Sequence, residues 1–191
     1  MDEAVQLTAW LDRLAAGTPA PGGGAVAALS AAMGAGLVAM TCRVTAAKTQ
    51  DAVDELAGIV AEADRLRGSA LTLMDADGEA YGAVIAARRL PKTSGDEQRT
   101  RTGAIDEALI GAAEVPLSVA RHAAAVIDLA GRVRPVALRS TLADLEAGVM
   151  SARTALLISL LNARTNLDAI SDRQRGEILR DELAALEDWS G

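Results

Sequence analysis

The sequence predicts an all-α domain, an antiparallel bundle of about five or six helices packed around a long central helix of small residues. Three observations carry this. Apolar residues recur at helical spacing in one segment after another, with no alternating run flanked by hairpin turns to compete. Only 2% of residues are aromatic and Phe is absent, so Ala, Leu, Val and Ile must fill the core, which favours close-packed helices over sheets. Finally, the stretch from Gly22 to Cys42 carries no charge. A chain of 191 residues suits one domain spanning its whole length.

The first amphipathic element runs from about Glu3 to Ala16, with Leu7, Trp10, Leu11 and Leu14 on one side, and Gly17-Thr18-Pro19 ends it. A second helix follows Gly24 and continues to about Lys48. Within it Gly24, Ala28, Ala32 and Gly36 recur every fourth residue, as do Ala31, Ala35 and Ala39, leaving two faces open to close backbone approach. Its length and lack of charge admit a membrane span, but Ala and Gly drive insertion weakly, and the centre of a bundle suits it better.

The third pattern, Ala52 to Arg89, has a stripe of Leu56, Ile59, Val60, Ala63, Leu66, Ala70, Leu73, Tyr81, Val84 and Ile85. Asp77 stands seven residues from both Ala70 and Val84, and so falls on that stripe. A carboxylate in such a place needs a partner or a chemical role. Ser94-Gly95-Asp96-Glu97 has the form of a capping box for a fourth helix, about Asp96 to Ala130. Pro116 interrupts that helix and frees the carbonyl of Ala112 for another donor. A fifth helix is expected from near Pro135 to about Asn162. Ser171 to Gln174 reads as a further capping box before a last helix that buries Ile178, Leu179, Leu183 and Leu186.

Net charge of −7 opposes a non-specific grip on nucleic acid. The single cysteine, Cys42, excludes an internal disulfide and reads as a small buried filler; one histidine, His122, makes a multi-histidine metal site unlikely in one chain and reads as a packing residue. The acidic start, Met1 to Val5, does not resemble a secretory signal, so the cytoplasm is expected. Gly22-Gly23-Gly24 before a helix exposes backbone N–H groups at the positive end of the helix dipole, where an anion or developing oxyanion is favoured; as a plain turn it lets helices meet closely.

Thr18-Pro19-Ala20-Pro21-Gly22-Gly23-Gly24, the Ala-rich helix after it, Asp77-x-x-Ala80-Tyr81 leading to Leu90-Pro91-Lys92, and Glu114-Val115-Pro116-Leu117 occur in the order seen in the cyclodeaminase/cyclohydrolase family of tetrahydrofolate metabolism. The chain resembles that family from about Trp10 to Leu186. The resemblance implies an all-α homodimer, an enzyme acting on the C–N bond of a formimino or methenyl carbon, and proton transfer as its main chemical need. It implies no cofactor beyond tetrahydrofolate as the carrier of the substrate carbon. Asp77 is then the candidate catalytic acid/base. Gly22, Gly23 and Gly24 help form the folate pocket, with Lys48, Tyr81 and Glu114 as further candidates for substrate binding. The residues leave bland alternatives open: Lys48 as a cation at a helix C-terminus, Tyr81 as core, Glu114 as a surface partner of Arg121.

Aligned to the family, the chain has Ala25 in place of a serine, Thr141 in place of an aspartate, and Ala155 and Ser159 where an Asn-Val-x-Ile-Asn pattern is expected. One polar wall is thus expected to have lost hydrogen-bonding groups. That leaves open a non-catalytic helical dimer, or an enzyme with another substrate, beside the folate reading.

Overall fold

The computed structural model describes residues 3–49 and 53–190. The expected third-helix start at Ala52, and Met1 and Asp2 of the acidic start, lie outside them. Six helices follow one another: α1 (Glu3–Ala15), α2 (Gly23–Ala46), α3 (Val53–Arg88), α4 (Gly95–Val133), α5 (Leu142–Asp168) and α6 (Glu177–Ser190). Among the described residues there is no strand. Short 3-10 turns, Arg139–Thr141 and Arg173–Gly176, precede α5 and α6.

The small-residue helix takes the centre. α2 packs against α3, α4 and α5, and Ala27, Ala28, Ala31, Ala35, Val38, Ala39 and Cys42 are wholly buried. Leu56, Ile59, Ala63 and Leu66 of α3, Val126 to Val133 of α4, and Leu145 to Ala152 of α5 close around its C-terminal half. The closest approach lies at Gly34, which neither predicted stripe contains. A Cβ there would stand 2.8 Å from the Gly148 carbonyl oxygen of α5. Two backbones are therefore in contact, and only a residue without a side chain permits it. α2 and α4 both have the length and composition to cross a membrane, but two thirds of α2's most apolar window (67%) is buried inside the bundle.

Local chemistry sets the other boundaries. Ser94 accepts from the Glu97 N–H at 3.2 Å while Glu97 accepts from the Ser94 N–H at 2.9 Å, completing the expected capping box of α4. Pro116 sits inside α4 without ending it. Two expectations fail near the C-terminus. The fifth helix begins at Leu142, because Arg134 to Leu138 turn away before a 3-10 segment, and it extends to Asp168. The cap before the last helix is Asp172, whose side chain accepts from Gln174, and α6 then leaves Ile178 83% exposed. The turn is held by Asp106 of α4, which is buried and accepts from the N–H groups of Ser171 (2.8 Å) and Asp172 (3.2 Å).

Gly34→Ala is expected to destabilise the protein by about 1–3 kcal/mol, because the clash is with backbone and cannot be relieved by a rotamer change. Chemical denaturation of the variant checks this; Gly58→Ala, an exposed helix position whose added Cβ meets no atom within 4 Å, serves as the control and should be stabilising by about 0.5–1 kcal/mol.

Candidate functional site

α2 begins without a side-chain cap of its own, since its first flanking residue is Gly22. The first turn of any helix leaves N–H groups without intrahelical acceptors. Here a carboxylate comes from another helix: Asp77 of α3 lies against the first turn of α2, where the Ala25 N–H acts on it. Ala25 is the third residue of α2, the position that an N-cap aspartate or serine ordinarily serves. Gly24 makes this possible, for a Cβ on it would fall 1.9 Å from Asp77 Oδ1 and 2.4 Å from its Cγ. Gly24 alone of the three glycines thus leaves the space in which the carboxylate is seated at the helix N-terminus, while Gly22 and Gly23 face Pro19 and Asn162.

Two influences act on that carboxylate. Burial pushes its pKa above the ordinary aspartate value, and the Ala25 N–H pulls it partly back. The group therefore holds a proton to higher pH than a solvated aspartate and is the stronger base once ionised. It opens onto a cavity of about 230 Å³ lined by Tyr81, Val84 and Arg88 of α3, Leu109 and Ala112 of α4, and Thr165 and Asn166 of α5. Tyr81 is 44% exposed at this cavity, so the core alternative fails for it. A larger hollow, about 440 Å³, lies between α1, the Pro21 turn and α3, lined by Trp10, Arg13, Leu71, Met74 and Asp75. Asp77 does not line it.

Pro116 has the consequence its position predicts. Asn166 Nδ2 donates to the freed Ala112 carbonyl at 2.7 Å. With its amide nitrogen committed, Asn166 retains Oδ1 as an acceptor on the cavity wall. One turn earlier, Asn162 lies beside the glycine turn, its Nδ2 3.6 Å from where a Gly23 Cβ would be. Arg88 has no ion-pair partner among the described residues, and its carbonyl accepts twice from Arg101, which fixes the end of α3.

Several sequence expectations change here. Glu114 is on the far side of α4 from Ala112: two residues along a helix turn the side chain through about 200°. It pairs with Arg121 at 2.5 Å on the surface and is not part of the site. Lys48 lies beyond the C-terminus of α2, whereas Asp77 sits at its N-terminus; 24 residues of helix put about 36 Å between them within one chain. The four positions of the expected polar loss, Ala25, Thr141, Ala155 and Ser159, do not line this cavity either. Ala155 and Ser159 are fully buried in the core, and the Thr141 hydroxyl donates to the Leu138 carbonyl at the distant end of α5. Ala25 is buried and lines the hollow beside Trp10.

The Asn-x-x-x-Asn spacing is present seven residues later, at Asn162 and Asn166. Seven residues is nearly two turns, so a slip of that size preserves the helix face and leaves no mismatch in periodicity to reveal it. Arg88 and Thr165 carried no pattern that singled them out. Elsewhere, Cys42 is wholly buried with its thiol pKa pushed up to about 11 by burial, as befits a packing residue. His122 Nδ1 lies 2.6 Å from the Ser118 carbonyl on the opposite face of the bundle.

Known proteins resemble this chain in sequence and in fold. Residues 6–185 match the model of the formiminotransferase-cyclodeaminase family. A methenyltetrahydrofolate cyclohydrolase of Methylorubrum extorquens is 36% identical over 93% of this chain and 86% of its own. The formimidoyltransferase-cyclodeaminase of Rattus norvegicus is 31% identical over 94% of this chain, which spans only 34% of that longer protein. The crystal structure of formiminotetrahydrofolate cyclodeaminase from Thermotoga maritima superposes with a TM-score of 0.83 at 25% identity, covering 94% of this chain and 87% of that one. The chain belongs to the formiminotransferase-cyclodeaminase family.

Proposed function

We propose that this protein is a methenyltetrahydrofolate cyclohydrolase that works as a homodimer in the cytoplasm, with Asp77 as its acid/base. The observation that carries the reading is the Asp77 carboxylate, partly desolvated, seated on the N-terminus of α2 and open to a cavity. The cyclohydrolase relative aligned over most of both chains supports this choice of reaction. About 230 Å³ suits a bicyclic pterin rather than a whole folate, so the aminobenzoyl-glutamate tail projects outward. Asn166 Oδ1 offers an acceptor for a pterin N–H, and Tyr81 lies at the cavity wall beside it.

In this reading water attacks the methenyl carbon while Asp77 accepts its proton, forming a tetrahedral carbon between N5 and N10. As the new carbonyl forms, its hydroxyl proton leaves to solvent. One C–N bond breaks, and the leaving nitrogen takes the proton back from Asp77. A carboxylate with a raised pKa suits both halves, since it is the stronger base when ionised and still donates when protonated. A second reading, cyclodeaminase, is favoured by the match to the Thermotoga structure. There N10 attacks the formimino carbon and passes its proton to the imino nitrogen, and Asp77 gives that nitrogen a second proton as the C–N bond breaks and ammonia departs. Turnover of the formimino substrate with no hydrolysis of methenyltetrahydrofolate would select it.

Decay of methenyltetrahydrofolate absorbance above the blank, in the presence of pure protein, tests the proposal; a rate equal to the blank with both substrates contradicts it. Asp77→Asn is expected to lower kcat by about 10²–10⁴-fold. In the wild type, kcat/KM should fall as pH drops through the raised pKa of Asp77, because only the ionised form accepts the proton from water. The stability effect runs the other way. A carboxyl whose pKa is raised by folding loses stabilising influence as pH climbs from the ordinary aspartate value through the raised one. Asp77→Asn removes that loss, so the variant should melt at or above the wild-type temperature at neutral pH. Gly24→Ala should displace the carboxylate and reduce kcat by about 10²-fold with a small change in Tm, which steady-state kinetics and calorimetry together would show.

A further inference from the structure

Lys48 has no ion-pair partner among the described residues and stands about 36 Å from the site its own chain builds. The surface between those two points is unusual. On α2, Val26, Leu29, Leu37, Met40 and Val44 are half-buried and Met33 is 50% exposed, forming one stripe at helical spacing with no charge in it. Beside it on α5, Met150, Leu157 and Leu161 are 68%, 61% and 65% exposed. The two helices run antiparallel, since Gly34 meets Gly148 and Ala152 while Gly23 meets Ile158 and Asn162. The apolar face therefore continues to the cavity: Leu161 lies one turn before Thr165, which lines it.

From these observations we propose that this face pairs with a second copy of the chain about a two-fold axis, and that Lys48 of one protomer completes the substrate site of the other. The inference rests on the homodimer and the folate site proposed above and specifies how they are joined. A two-fold interface is isologous, so each patch must meet itself. With the axis perpendicular to α2, the helix pairs with its partner copy antiparallel, which sets opposite ends of the helix dipoles together; a parallel pairing would set like ends together. The stripe from Val26 to Val44 is centred at residue 35. Antiparallel pairing about that centre brings residues 46–48 of one chain beside residues 22–24 of the other.

Charge complements this register. The cation of Lys48 is brought to the mouth of a cavity whose floor holds the Asp77 carboxylate, and from which an anionic ligand tail must emerge. Lys48 there is a binding residue for the glutamate carboxylate of the substrate, and a charge-assisted bond of this kind is among the strong ones. The same arrangement explains how two groups at opposite ends of one helix serve one site.

A zero-length carbodiimide cross-link tests the juxtaposition without any activity. The chain has only two lysines, Lys48 and Lys92, so assignment by mass spectrometry is simple. Expected is a link from Lys48 to Asp75, Asp77 or Glu79, confined to the covalent dimer band. A monomer by analytical ultracentrifugation, or a cross-linked dimer without that link, overturns the inference. Kinetically, Lys48→Ala should raise KM by about tenfold and leave kcat nearly unchanged, and Lys48→Arg should restore most of the loss. An equal mixture of unfolded and refolded Asp77→Asn and Lys48→Ala chains should recover about a quarter of wild-type kcat/KM, since half the dimers then hold one intact site. Recovery no greater than about a twentieth, as expected if each site draws on one chain, overturns it. If the link forms but wild-type protein turns over neither folate, the functional reading fails and the interface stands.

Discussion

The seating of the Asp77 carboxylate against the first turn of α2, where the Ala25 N–H favours its ionised form, joins the fold to its chemistry. A helix N-terminus that is buried without a cap is costly, and a buried carboxylate without a donor is costly too. Each solves the other's problem. The arrangement also fixes three features of the sequence at once. Gly24 must lack a side chain, α3 must carry its acid on the buried stripe, and α2 must begin where the Pro-Gly turn ends. The carboxylate is left between opposing influences, burial favouring its neutral form and the helix terminus its ionised form. Proton exchange at a reacting carbon needs a group in that condition.

The rest of the site depends on backbone that other elements have set free or brought close. Pro116 removes a donor within α4, and the released Ala112 carbonyl orients Asn166 across the cavity from Asp77. Gly34 and Gly148 bring α2 and α5 into backbone contact, which holds the α5 amides near the start of α2. The core that supports this is built from Ala, Leu and Val rather than aromatic rings. Small side chains keep the helices near one another, so a substitution of one methyl group at Gly24 or Gly34 has consequences for function or stability respectively.

Much of this was legible in the sequence. Helix number and order, the cap at Ser94, the central place of α2 and the exceptional status of Asp77 all follow from periodicity and turn chemistry, because those are local signals. Tyr81 lines the cavity and Gly24 meets Asp77, and both stand next to local signals, Asp77 itself and the turn. What was not legible depended on which residues meet across helices. Glu114 and Ala112 are two residues apart yet face opposite ways, and only the packing of α4 shows which faces inward. The α5 wall was placed seven residues early, at Ala155 and Ser159, since helical periodicity cannot tell one heptad from the next. Arg88 and Thr165 have no local signature. Their importance arises from the cavity that three helices enclose.

The most direct test of the account is a crystal structure of the protein with folinic acid, a stable one-carbon tetrahydrofolate that the site should bind without turnover. The pterin should occupy the cavity of Asp77, Tyr81 and Asn166, with the N5 substituent within hydrogen-bonding distance of the Asp77 carboxylate. Folate bound instead in the hollow between Trp10, Arg13 and Asp75, with Asp77 still engaged only by the Ala25 N–H, would contradict it.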